Sequence, residues 1–238
     1  LLGFCCESDH PKSNPSLMKT GILGGTFNPI HLAHLRVAEE AQKAFRLDRV
    51  LFIPAADPPH KEIAGEVSFL HRLAMVKRAI RDYPSFQASD LEIRRSGKSF
   101  SVDTLEILQR QDPAGERFFI VGLDSYRDIA SWKDYARLFS LCHLVVTTRP
   151  GVAIENPLAP LPVAIRGDFC YDSHAGKILH KSGNYVFFLS GTHLDISSTQ
   201  VRQRLIEGQS VHQLVPPTVA DYIEEHGLYR TTSSSRSQ

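Results

Sequence analysis

Gly21-Ile22-Leu23-Gly24-Gly25-Thr26-Phe27-Asn28-Pro29-Ile30-His31-Leu32-Ala33-His34 is the stretch that decides how this chain folds. Ile22-Leu23 is a short apolar run ending on a glycine pair, and from Leu32 the apolar residues Leu35, Ala38, Ala41 and Phe45 recur at helical spacing. A strand, a tight turn and a helix follow from this, with both histidines at the helix N-terminus. Unpaired backbone N–H groups and the positive end of the helix dipole favour an anion there, and glycines let backbone come close to it. Taken singly, a Gly-Gly pair is a common turn and His-x-x-His a common solvated pair. Zinc has little support, because His31 and His34 have no third ligand at metal spacing. The glycines form neither a dinucleotide fingerprint nor a P-loop, which would end in Gly-Lys-Ser/Thr, so a different nucleotide fold is required.

With 238 residues, 42% of them hydrophobic, the chain can bury a full core without disulfides or metal. The net charge is +1 and there is no basic block, which argues against nucleic acid or a membrane surface as a partner and for a small substrate. Cys5, Cys6, Cys142 and Cys170 form no Cys-x-x-Cys pair, so a reducing cytoplasm is the simpler setting. Residues 1–18 read as a disordered extension, with Met18 just before the first strand, and the polar run 231–238 as a disordered tail. Between them, strand patterns near 50–53, 86–88, 118–122, 143–147 and 185–189 alternate with helical patterns near 32–45, 69–80, 102–108 and 132–139. Such alternation predicts an α/β fold: one Rossmann-like, doubly wound domain over 19–230 with a mostly parallel sheet, and a proline-rich loop at 156–162. Ligands bind such sheets beyond the carboxyl ends of the strands.

Further motifs follow those strand ends. Pro58-Pro59-His60-Lys61 presents an ammonium to a polyphosphate, and Ser99-Phe100-Ser101-Val102-Asp103-Thr104 opens a helix for which Ser101 suits the N-cap. Gly122-Leu123-Asp124 places a carboxylate where it can accept from a ribose diol. Trp132, the only tryptophan, has polar neighbours that suit stacking on a flat ring, and Arg149 follows the strand pattern at 143–147. Ile196-Ser197-Ser198-Thr199-Gln200-Val201-Arg202 starts a helix in which Thr199 and Arg202 share one face, so that guanidinium and hydroxyls can surround one phosphate.

The first stretch resembles the signature of the nucleotidyltransferase superfamily, which carries His-x-Gly-His after a Gly-Gly-x-Phe-x-Pro turn; Ala33 stands where that pattern has glycine. Six motifs in order, over about 19–230, resemble the bacterial nicotinate-nucleotide adenylyltransferase family. The resemblance implies transfer of the adenylyl group of ATP to nicotinate mononucleotide, with release of pyrophosphate. It assigns Gly24, Gly25, Thr26, Phe27, Gly122, Asp124, Ser197, Ser198 and Thr199 to ATP, and His31, His34, Lys61 and Arg202 to the reacting phosphates. Ser101, Thr104, Trp132 and Arg149 fall to the nicotinate nucleotide, with tryptophan stacking the pyridine ring. Where the family has Ser-Tyr-Thr this chain has Ser99-Phe100-Ser101, which keeps one hydroxyl and removes the phenol. Magnesium is expected as the counter-ion of ATP, with no protein metal cage, and the step is one in NAD biosynthesis. Competing expectations are an adenylyltransferase that accepts nicotinamide mononucleotide or phosphopantetheine, and a non-catalytic nucleotide sensor.

Overall fold

The computed structural model describes residues 17–58, 67–148, 156–172, 174, 176–191 and 194–230. The expected extension up to residue 16 and the expected tail 231–238 lie outside the described residues. In chain order the elements are β1 (Lys19–Gly25), α1 (Leu32–Phe45), β2 (Arg49–Pro54), α2 (Phe69–Ala79), β3 (Phe86–Ala88), α3 (Ser101–Gln111), β4 (Glu116–Gly122) and α4 (Leu123–Arg127). Then come α5 (Tyr135–Leu141), β5 (His143–Thr148), α6 (Val163–Arg166), β6 (Phe169–Asp172), β7 (Lys177–His180), β8 (Tyr185–Ser190), α7 (Ser198–Ile206) and α8 (Pro217–Glu225).

One sheet holds all eight strands in the order β3-β2-β1-β4-β5-β8-β7-β6. From β3 to β8 neighbouring strands run parallel, and β7 and β6 add an antiparallel edge. The chain winds outward from β1 through β2 to β3, then returns to β4 on the other side of β1. The order therefore reverses between β1 and β4, and a crevice opens at their carboxyl ends.

Alternation along each central strand divides the core in two. Leu23, Val50, Phe52, Phe118 and Ile120 point to one face, where Ala38 and Ala41 of α1, Met75 and Val76 of α2, and Val219 and Ile223 of α8 cover them. Ile22, Leu51, Ile53, Phe119 and Val121 point to the other, against Val102 and Leu105 of α3 and Leu138 of α5. Both faces are covered, which is why these strands read as nearly continuous apolar runs.

One expectation needs correction, and one pair of strands was not foreseen. The helical pattern at 132–139 becomes a 3-10 turn at Ile129–Ser131, an extended Trp132 (φ −80°, ψ 144°) and then α5. Asp134 takes a left-handed conformation (φ 47°), which stops a helix from running through. The β6–β7 hairpin gave no strand signal, because most of β6 is exposed and offers no apolar alternation.

Gly21 is the most tightly packed of the β1 glycines: a Cβ there would stand 2.7 Å from Leu47 Cδ1 and 3.2 Å from Val50 Cγ2. Both neighbours are buried. Gly21→Val is expected to destabilise the fold by about 1–3 kcal/mol through overpacking, read as a lowered midpoint in urea or thermal unfolding.

Candidate active site

The turn between β1 and α1 is built from backbone carbonyls captured by distant side chains. Arg72 Nη1 donates to Thr26 O (2.7 Å), Arg202 Nη1 to Asn28 O (2.8 Å) and Ser198 Oγ to Pro29 O (2.9 Å). Tyr229 adds a hydroxyl bond to Asn28 Oδ1 at 2.6 Å. Phe27 is held at φ 47°, its ring buried under Gly25, where a Cβ would touch the ring at 3.4 Å. A small residue at 25 lets the turn close this tightly.

His31 is the N-cap residue of α1 and His34 lies three residues on, as the spacing implied. Their rings stack with centroids 3.7 Å apart and 27° between planes, and Phe27 meets His34 edge-on at 5.0 Å. The His31 backbone N–H donates to His34 Nδ1 (3.2 Å). An accepting Nδ1 carries no proton, so the neutral His34 ring bears its proton on Nε2 and offers it as a donor. Burial lowers the His31 pKa to about 4. It also holds His34 well below the usual imidazole range, with a further push from His31. Both rings are therefore neutral at pH 7, and His31 Nδ1 has no hydrogen-bond partner among the described residues.

Across the same cavity α7 supplies its N-terminus. Ser197 is the N-cap and accepts from Gln200 N (3.1 Å), while Arg202 Nη2 donates to Thr199 Oγ1 (3.2 Å). The three hydroxyls are not equivalent caps: Ser197 caps, Ser198 secures the β1 turn and Thr199 orients Arg202.

At the other end the N-cap of α3 is Phe100, not Ser101, which takes the first helical position. The preceding hydroxyl, Ser99 Oγ, accepts from Ala56 N (3.0 Å) and Asp57 N (3.1 Å), joining the loop after β2 to the start of α3. Thr104 is buried and donates its hydroxyl proton to Glu92, so it can only accept from a ligand. Trp132 is half-buried, edge-on to Phe119 at 6.1 Å. Its neighbour Lys133 pairs with Asp103 (2.9 Å), which also receives Arg95 (2.8 Å). Gly122 caps α4, and the Asp124 carboxylate is 91% exposed, bonded only loosely to Arg127 at 3.4 Å.

One cavity of about 980 Å³ joins these groups, bounded by Gly24–Asn28, His31, His34, Ser101, Thr104, Gly122, Asp124, Trp132, Ser197–Thr199 and Arg202. That is the upper end of the range for small-molecule sites. Lys61 and Arg149 lie outside the described residues. Residues that the sequence reading missed are Arg72, Glu92 and Tyr229, and Ser99 it placed only in the run that opens α3. Only Arg72 carried a signal: it falls on the buried stripe of α2 with Phe69, Leu73 and Val76, where a charge is out of place.

Fold and site define a nucleotidyltransferase, and residues 22–204 match the family model described as cytidylyltransferase-like. The chain is 56% identical over 218 residues to a Syntrophotalea carbinolica protein named "Probable nicotinate-nucleotide adenylyltransferase", covering 92% of this chain and 100% of that one. A Geobacter sulfurreducens protein of the same name is 53% identical over 212 residues, covering 89% and 98%. The chain belongs to the nicotinate-nucleotide adenylyltransferase family. Its fold matches that of Plasmodium falciparum nicotinic acid mononucleotide adenylyltransferase, solved in complex with NaAD (TM-score 0.68, 20% identity, 89% of this chain and 97% of that one).

The histidine pKa values carry a stability consequence. His31 is neutral in the folded protein down to about pH 4, whereas unfolded it protonates near 6.5, so the unfolded state binds the extra proton. Its contribution is complete above pH 6.5 and is lost as pH falls toward 4, by about 2 kcal/mol at pH 5. His31→Asn should therefore show a smaller drop in unfolding midpoint between pH 7 and pH 5 than the parent protein.

Proposed function

We infer that this protein transfers the adenylyl group of ATP to nicotinate mononucleotide, giving nicotinate adenine dinucleotide and pyrophosphate. The observation that carries the reading is the neutral histidine pair at the N-terminus of α1, lining one cavity with Arg202 and the α7 hydroxyls. A phosphate monoester of the acceptor attacks the α-phosphorus in line; the new P–O bond forms as the α–β bridge breaks and its electron pair leaves with pyrophosphate. The nucleophile is already an anion at pH 7, so no general base is needed, and catalysis is positioning plus stabilisation of charge on the phosphates. His34 supplies a donor from Nε2, His31 stacks on it and shares the site, and Arg202 holds the departing pyrophosphate. From sequence, Lys61 and Arg149 join the phosphate-binding set.

Asp124, with its carboxylate open to the cavity, receives the ribose diol of the adenosine. The N–H groups at the start of α3 receive the nicotinate carboxylate, with Ser101 beside them and Trp132 stacked on the pyridine ring. Thr104 acts one step back by anchoring Glu92. Magnesium enters as MgATP, carried by phosphate oxygens and water. Among the described residues no group of three or more His, Cys, Asp or Glu side chains could hold a metal ion, and the phosphate end of the cavity presents imidazole, hydroxyl and guanidinium groups. The catalytic unit is the single domain 19–230, acting on small molecules in the cytoplasm. No helix of the described residues is long and apolar enough to cross a membrane.

Pyrophosphate release tests the reading directly, with MgATP and nicotinate mononucleotide, nicotinamide mononucleotide or phosphopantetheine offered in parallel. Strong preference for the nicotinate nucleotide is expected; release only with phosphopantetheine, or none with any acceptor, would contradict it. His34→Ala should lower kcat by roughly 100-fold, the scale for losing one transition-state donor. Trp132→Ala should instead raise KM for the acceptor nucleotide and leave KM for ATP nearly unchanged.

A further inference from the structure

α2 buries a cation that no carboxylate among the described residues neutralises. Arg72 is 0% exposed, and among the described residues its guanidinium makes a single hydrogen bond, from Nη1 to Thr26 O at 2.7 Å. Nε and Nη2 are buried with no partner among the described residues. The Phe69 ring lies beside it, its centroid 5.6 Å from the guanidinium carbon. Tyr229 gives no counter-charge, since burial drives its phenol pKa up and keeps it protonated.

Such an arrangement is costly, and core packing does not require it. Replacing a buried charge by an apolar side chain of similar volume is often neutral or stabilising. What the charge does reach is the phosphate turn. The Thr26–Phe27 peptide is trans, the cis bond among the described residues being Asn28–Pro29, so the Phe27 N–H points opposite to the Thr26 carbonyl and away from Arg72. Thr26 and Phe27 both line the cavity. A cation bound to the carbonyl draws electron density through the peptide and strengthens that N–H as a donor, and in a low-dielectric interior the effect is not screened by water.

We propose that Arg72 is a positioning residue for the substrate polyphosphate: its uncompensated charge, anchored on the Thr26 carbonyl behind the turn, polarises the Thr26–Phe27 peptide toward the phosphates. The proposal rests on the reading that this end of the cavity holds the phosphates of ATP. Two features of the turn then divide the work. Arg202 and Ser198 fix its path from the cavity side, and Arg72 sets its electrostatics from the core side.

Three variants separate charge from hydrogen bonding and from packing: Arg72→Lys keeps the charge, Arg72→Gln keeps a donor for Thr26 without charge, and Arg72→Met keeps neither. The readouts are the Kd of inorganic pyrophosphate by calorimetry, kcat/KM for MgATP, KM for the acceptor nucleotide, and the unfolding midpoint. Expected are a pyrophosphate Kd and a kcat/KM for MgATP about tenfold or more worse in Gln and Met. Lys should stay within a few-fold of the parent, the acceptor KM should hold in all three, and the midpoint of Met should be equal or higher. Wild-type binding and turnover in Arg72→Gln would overturn the proposal, because the hydrogen bond alone would then suffice. So would a Lys variant that folds but is as impaired as Gln. Should Arg72→Met fail to fold, the Gln–Lys comparison still decides. Pyrophosphate binding needs no acceptor, so a parent protein that binds it yet turns over no acceptor would refute the proposed function while leaving this test intact.

Discussion

The capture of the Thr26, Asn28 and Pro29 carbonyls by Arg72, Arg202 and Ser198 is the constraint on which the rest of the site depends. These bonds tie the first crossover of the sheet to α2 and to α7, elements far away in the chain. Without them the turn after β1 would be a short loop free to choose its path. With them, α1 begins at a fixed place with His31 and His34 stacked at its N-terminus. The reversal of strand order between β1 and β4 then provides the crevice into which that terminus opens.

Much of this was legible from residues alone, for identifiable reasons. The central strands are buried on both faces, so they show as dense apolar runs, and the helices between them as 3.6-residue stripes. The glycine pair, the two histidines and the Ser-Ser-Thr-x-x-Arg run each have a local spacing that survives in one dimension. What joins them does not. That Ser198 bonds Pro29, or Tyr229 bonds Asn28, depends on contacts 169 and 201 residues apart in sequence, which no local pattern encodes.

The misses have physical causes of the same sort. Trp132 follows a helix-like spacing into α5, but the left-handed Asp134 keeps it extended, and that places the indole on the cavity wall. Ser101 looks like an N-cap because hydroxyls favour that position, yet Phe100 occupies it and Ser99 is drawn off to two N–H groups of the loop after β2. The edge hairpin β6–β7 is mostly outside the core, so it carries little apolar signal at all. Arg72 is the instructive one: a lone cation on the buried stripe of an amphipathic helix is visible in sequence, but its meaning appears only when the Thr26 carbonyl is seen in front of it.

The proposed chemistry rests on two imidazoles kept neutral by burial and available as donors to an anion, rather than as bases. Proton NMR titration of the His31 and His34 rings, with and without saturating MgATP, tests this most directly. The account predicts that in the free protein both titrate well below 6.5, His31 near 4, and that MgATP moves both midpoints upward because phosphate charge favours imidazolium. Midpoints near 6.5 in the free protein, or midpoints that MgATP leaves unmoved, would contradict it.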